Sequence, residues 1–304
     1  MTTARTRRAF LHDALLSGAG AAATAGRPEW CAAAASDATR QATPVVIKTL
    51  GTGAADHDWK RLGAPGVRGS ASTLIDGHIL IDCGSTGKAN LDRFNIAPQA
   101  LTDLVVTHSH SDHFDLAEIG KVLESRSPEQ PALAVWAAPE ALAALSRHLP
   151  GRFNGRPLHP GAAFDIGRCR FTALPANHQL ADVSEQALHY LVETPCGNLL
   201  YALDGAWMLK QARQLIGKRR LDLILWDATM AKSGDYRIFE HNDLSMIDLM
   251  MQSLRTAGCA SAETVCVLDH VARTLWPADL REAEKLAAER GWLLAADGMD
   301  LALR

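Results

Sequence analysis

The sequence predicts an α/β protein in which two mixed β-sheets are covered by helices in one unit. Two patterns carry this. Strand-like runs arrive as hairpins at two places, around Asp76-Gly77 and around Pro195-Cys196-Gly197. Elsewhere short apolar runs alternate with segments of helical length, as at 104–106, 116–125, 132–136 and 139–149. The 304 residues are 47% hydrophobic and 21% charged, the composition of a soluble globular chain that can bury a substantial core.

Taken in order, residues 1–35 stand apart. Arg7-Arg8 precedes Phe10-Leu11, an Ala/Gly-rich stretch follows over 14–25, and the small-residue run Ala32-Ala33-Ala34-Ala35-Ser36 closes it. Basic, apolar and small-residue regions in that order resemble a twin-arginine export signal, cut after Ala35, and imply a periplasmic or secreted protein. Its removal takes four basic and two acidic residues from the 31 and 34 of the whole chain. That leaves 27 and 32, and moves the net charge from -3 to -5. An acidic chain argues against an extended nucleic-acid surface, and Lys218-Arg219-Arg220 reads as a solvated helix end. No long apolar run beyond the N-terminus predicts a transmembrane span.

The remainder, 44–304, begins with a Val/Ile-rich strand at 44–50, broken by Gly51-Thr52-Gly53. A Gly-rich loop runs to Ser70. Strands at 72–75 and 78–81 flank the Asp76-Gly77 turn, and 104–106 is a short buried strand. Further on, 164–174 alternates weakly as a strand does, and 189–193 pairs with 198–203. Strands at 221–226, 265–268 and 292–295 interleave with helices at 245–256 and 279–290. There is no repeat in residue identity. The six cysteines lack Cys-x-x-Cys spacing, so no zinc knuckle is expected, and Cys31 leaves with the signal.

The chemistry concentrates after the strand at 104–106, in His108-Ser109-His110-Ser111-Asp112-His113. Alternate residues of an extended segment project to one side, so His108 and His110 can reach one ion. Asp112 and His113 can face a neighbouring point, and imidazole with carboxylate suits zinc, with manganese or iron tolerating the same donors.

This run resembles the His-x-His-x-Asp-His signature of the metallo-β-lactamase superfamily. The resemblance implies an αββα sandwich with two divalent ions. It assigns His178 as third ligand of the first ion, Asp204 as the carboxylate between both, and His270 as the last ligand of the second. Each follows a strand-like run in the order the family requires. Asp82 resembles an aspartate that supports the ligands. His241, just before the helix at 245–256, resembles the histidine that serves the leaving group in the phosphodiesterase branch; Asn242 or Asp243 would cap that helix. Asp112 and His241 are thus the catalytic candidates, on a small, anionic ester substrate. The loop 54–70 has no cysteine, so the zinc insertion of the phosphonate-pathway member is not expected. His57 in that loop reads as solvated. Hydrolysis of a lactone, β-lactam or sulfate ester on the same site stays open, as does a non-catalytic metal-binding or maturation role. The oligomeric state is open too, a homodimer included.

Overall fold

The structure, a computed structural model, describes residues 43–304, which form one unit. The expected export signal lies outside these residues. Strand β1 (Val45–Gly51) leads through the loop to a hairpin of β2 (Ser72–Ile75) and β3 (Ile79–Ile81). Asp76 and Gly77 have φ of 52° and 75°, the left-handed pair that matches the twist of a two-residue hairpin. Helix α1 (Gly87–Arg93) follows, then β4 (Asp103–Val105), α2 (Leu116–Glu124), β5 (Ala134–Ala137), α3 (Pro139–His148) and β6 (Asn154–Pro157). The second part comprises β7 (Ala163–Ile166), β8 (Cys169–Pro175), β9 (Leu188–Thr194), β10 (Gly197–Ala202), α4 (Lys210–Ile216) and β11 (Leu223–Asp227). It closes with α5 (Leu244–Thr256), β12 (Val265–Asp269), α6 (Leu280–Ala288), β13 (Leu293–Leu294) and β14 (Asp300–Leu303).

The strands form two seven-stranded sheets, ordered β14-β1-β2-β3-β4-β5-β6 and β13-β12-β11-β10-β9-β8-β7. In each, the hairpin-connected strands pair antiparallel and the helix-connected strands pair parallel. Three apolar layers follow. Ile47, Ile81, Phe171, Tyr190 and Tyr201 fill the space between the sheets. Leu91, Ile119 and Leu145 seat α1, α2 and α3 on the first sheet. Ile216, Ile247, Met251 and Ala287 seat α4, α5 and α6 on the second. Each large apolar side chain so buried contributes on the order of 1.5–3 kcal/mol. The arrangement is the αββα sandwich expected.

Several expectations are refined. The run 164–174 is two strands, not one: β7 and β8 turn at Gly167-Arg168 and pair antiparallel. Helices α1 and α4 and strands β6 and β14 carry weak periodicity and surface only in the fold; β6 is exposed along its length. Asp243, not Asn242, caps α5, accepting from Met246 N at 2.9 Å. His57 is buried rather than solvated, with Nε2 3.0 Å from the Val271 carbonyl. No helix among the described residues is long and apolar enough to cross a membrane.

Candidate metal centre

Parallel strands deliver side chains to one end of a sheet, and both sheets deliver them to the same end here. The loop after β4 carries Thr107, His108, His110, Asp112 and His113. The loop after β8 carries His178, and Asp204, Asp227 and His270 stand at or just past the ends of β10, β11 and β12. Asp82, Asp204 and His270 have φ of 61°, 55° and 56°, a conformation side chains with a Cβ avoid and that strand ends adopt where a site demands it. Gly84 and Gly205 follow the two aspartates. A Cβ on Gly84 would run into the Asp112 backbone, and one on Gly205 would meet the His189 ring at 2.8 Å.

Two groups of donors result. His108, His110, His178 and Asp204 form one, Asp112, His113, Asp204 and His270 the other, with donor atoms within 4.8 Å of one another in each. Asp204 belongs to both. His178 Nε2 lies 3.0 Å from His110 Nδ1, and His113 Nε2 lies 3.2 Å from His270 Nε2. Asp204 Oδ2 is 3.3 Å from His108 Nε2 and 3.2 Å from His113 Nε2. The seven ligand candidates named from the sequence are therefore brought together.

The outer nitrogens of the rings are pinned by oxygens. His113 Nδ1–H donates to Asp82 Oδ2 at 2.8 Å, His108 Nδ1 meets Thr107 Oγ1 at 2.9 Å, and the Thr107 hydroxyl donates to Asp82. His178 Nδ1–H donates to the Glu240 carbonyl at 3.2 Å. His270 Nδ1 has Thr229 Oγ1 and Asp204 Oδ1 each at 2.9 Å. Such partners fix the tautomer and leave Nε2 as a lone-pair donor. Asp82 thus lies behind the rings, bonded to His113 and Thr107 and outside both donor groups. His108 Nε2 is buried and makes no hydrogen bond, and Asp204 Oδ1 has only its ion-pair contacts with His270 and His241. Imidazole nitrogens facing each other around a buried carboxylate, with His108 Nε2 left without a hydrogen bond, are a donor set that could hold divalent metal.

Charge is concentrated accordingly. Burial alone would raise the Asp204 carboxyl, but His270, His113 and His178 around it hold it well below the usual range. Burial alone would lower His270, yet Asp204, Asp112 and Asp227 lift it to about 10. His189, sealed under the Asp204 loop, is pushed down to about 4 by burial and stays neutral, its Nε2 3.1 Å from the Asp204 carbonyl.

His241 stands beside these groups, its ring stacked 5.5 Å from that of His270. Its Nδ1–H donates to Asp227 Oδ2 at 2.8 Å, and Asp227 Oδ1 accepts from the Thr229 hydroxyl at 2.8 Å. Burial opposes charge on His241, and Asp227 with Asp204 outweighs it, so the imidazole is raised above its ordinary value. His241 Nε2 has no hydrogen-bond partner among the described residues, and the side chain lines a cavity of about 290 Å³ with His110, Asp112, His178, Asp204 and His270. Asn242 clamps the Asp204 loop instead of the helix, accepting from Trp207 N and donating to the Gly205 carbonyl.

Sequence reasoning missed Asp227, Thr107, Thr229 and His189. The signal for Asp227 was present: an acid closing the apolar run 223–226, as Asp204 closes 199–203.

An αββα sandwich whose strand ends gather two donor groups around one shared carboxylate defines the metallo-β-lactamase architecture. Residues 78–270 match the Beta-lactamase superfamily domain, and the chain belongs to that family. No curated protein sequence matches it. Among solved structures it is similar to a diphosphatase from the PhnP family, at 18% identity and a TM-score of 0.66, covering 86% of this chain and 97% of that one. It is also similar to human tRNase Z, short form, at 16% identity and 0.59, covering 85% and 99%. A third is Zn(2+)-bound PqqB from Methylobacterium extorquens, at 15% and 0.60, covering 84% and 99%. At these identities the likeness is one of fold.

Proposed function

We propose that the protein is an exported, dinuclear metal-dependent hydrolase that cleaves a phosphodiester. The observation that carries the reaction class is the Asp227–His241 pair at 2.8 Å, set on the cavity wall beside the shared carboxylate Asp204. His108, His110 and His178 would hold one ion and Asp112, His113 and His270 the other, with Asp204 between them. When bound, such ions, zinc first among them, lower the pKa of water and neutralise charge on the phosphoryl oxygens. The remaining work falls to this chain. Asp227 fixes the proton on His241 Nδ1 and favours the imidazolium. His241 then presents an Nε2–H to the departing alkoxide, as a general acid does. Asp112 would share the second ion with His270, its Oδ2 3.4 Å from His270 Nε2. The tRNase Z and PhnP-family folds are consistent with this class. Export rests on the Arg7-Arg8 segment alone.

The test uses metal-loaded protein on bis(p-nitrophenyl) phosphate, an alkyl phosphodiester, a lactone and a β-lactam. His241→Ala should keep its metal and lose about 10²–10⁴-fold on the alkyl diester. The loss should be smaller with p-nitrophenolate, which departs without a proton. Turnover of a lactone or β-lactam and of neither diester would overturn the proposal. No turnover of any of the four would favour a binding or maturation role.

A further inference from the structure

Arg237 is the one arginine or lysine on the wall of the metal-centre cavity among the described residues. It sits in the 3₁₀ turn Tyr236–Phe239, and its carbonyl accepts from His241 N at 2.7 Å, so the backbone couples its position to the general acid. Its side chain is 31% exposed. Every other part-buried arginine among the described residues donates at least one hydrogen bond from its guanidinium to a protein oxygen. The Arg237 guanidinium donates none. Its nearest acid, Asp235, is 3.7 Å away and already accepts from Arg237 N at 3.0 Å. Asp56, across the cavity, is occupied by Arg273 N, Thr274 N and the Thr274 hydroxyl, and Glu240 forms no ion pair with Arg237. One face of the guanidinium lies 5.5 Å from the centroid of the Tyr236 ring, itself 76% exposed. The guanidinium is thus held partly out of water against an aromatic face, with one long ion pair to Asp235 at 3.7 Å and no hydrogen bond from any of its five N–H donors.

We propose that Arg237 binds a second anionic group of the substrate, beyond the scissile phosphodiester. The substrate class is then a phosphodiester that bears a further phosphate or carboxylate, with an aromatic or apolar portion able to lie against Tyr236. This inference rests on the phosphodiesterase reading. The scissile group is served by the two donor groups and by His241; Arg237, one turn earlier at the rim, is placed for a group beyond it. A guanidinium fork matches phosphate or carboxylate oxygens two at a time.

The probes are thymidine 5′-(p-nitrophenyl phosphate) and the same compound carrying a 3′-phosphate. The metal-loaded wild type should prefer the second by about ten- to a hundredfold in kcat/KM, through KM. In Arg237→Ala that ratio should collapse toward one, and Arg237→Lys should restore part of it, because charge returns without the fork. Binding is measured alongside, with thymidine 3′,5′-bisphosphate against thymidine 5′-monophosphate on the same metal-loaded proteins. The extra phosphate should tighten binding to the wild type and not to Arg237→Ala. Equal treatment of the paired ligands by the wild type, or an unchanged ratio in Arg237→Ala, overturns the inference. If neither diester is cleaved but the bisphosphate still discriminates between wild type and variant, the phosphodiesterase reading fails and the anion site stands.

Discussion

The two sheets have the same construction and load the site differently. Each runs through three antiparallel pairings and then three parallel ones, and β3 corresponds in place to β10, β4 to β11 and β5 to β12. Equivalent strand ends carry Asp82 and Asp204, both left-handed, both followed closely by a glycine that admits a neighbour. In the first sheet that aspartate is withdrawn behind the histidines as a support, and one loop after β4 supplies four donors. In the second sheet it is thrust between the donors, and each further donor comes from a different strand end. One half is a cassette; the other is a frame.

The comparison can be broken most severely at Asp204. Because both donor groups share it, Asp204→Ala should lose both ions, while His110→Ala and His270→Ala should each lose one. The drop in affinity should exceed the roughly 10–100-fold typical of a supporting residue. Elemental analysis after dialysis reads this directly. An Asp204→Ala protein that keeps two ions would mean the frame half is dispensable and the cassette binds metal unaided.

The supports come next in size. Asp82 bonds to His113 directly and to His108 through Thr107, so it serves both donor groups. Thr229 holds only His270 among the ligands. Asp82→Asn should therefore weaken both ions by about 10–100-fold, and Thr229→Val only the one at His270. Chelator competition with each variant measures the two constants. Equal, two-ion losses from both substitutions would erase the distinction between the halves.

The same asymmetry explains what could be read from the sequence. A cassette is local: His108, His110, Asp112 and His113 fall within six residues, and backbone periodicity alone makes them converge. The frame residues His178, Asp204 and His270 were reachable because each closes or follows an apolar run, a weak mark that gains force only in the order of a known family. Asp227 bears the same mark and went unread, since its partner is a histidine fourteen residues on, across a turn that no periodicity describes. Arg237 carries no sequence mark; its unsatisfied donors exist only once the cavity wall is assembled. Among the elements, β6 and β14 escaped because edge strands bury too little to alternate clearly, and 164–174 read as one strand because both sides of its turn face the same core.

The smallest expected effect lies at the far end of the sandwich, where the sheets are clasped. Arg168, in the turn between β7 and β8, forks onto both oxygens of Asp76, in the turn between β2 and β3, at 2.8 and 2.7 Å. It also donates to the Pro44 carbonyl at 2.9 Å. Both side chains are part-buried near the surface, 30% and 21% exposed, and solvent screening limits the worth of the pair to about 1 kcal/mol. The guanidinium hydrogen bond to Asp76 outweighs partial burial and holds that carboxyl below its ordinary 3.8. A depressed folded-state pKa gives stability that is fully present above the unfolded value and disappears as pH falls through the folded one. The coupling energy from a double-mutant cycle of Arg168→Ala and Asp76→Asn, read by urea unfolding, should thus be constant from pH 7 to about pH 5 and shrink below pH 4. The Pro44 contact carries no titrating group, so the single Arg168→Ala effect should keep a pH-independent remainder. A coupling that persists unchanged at pH 3 would show that Asp76 joins the sheets through the shape of its turn rather than through its charge.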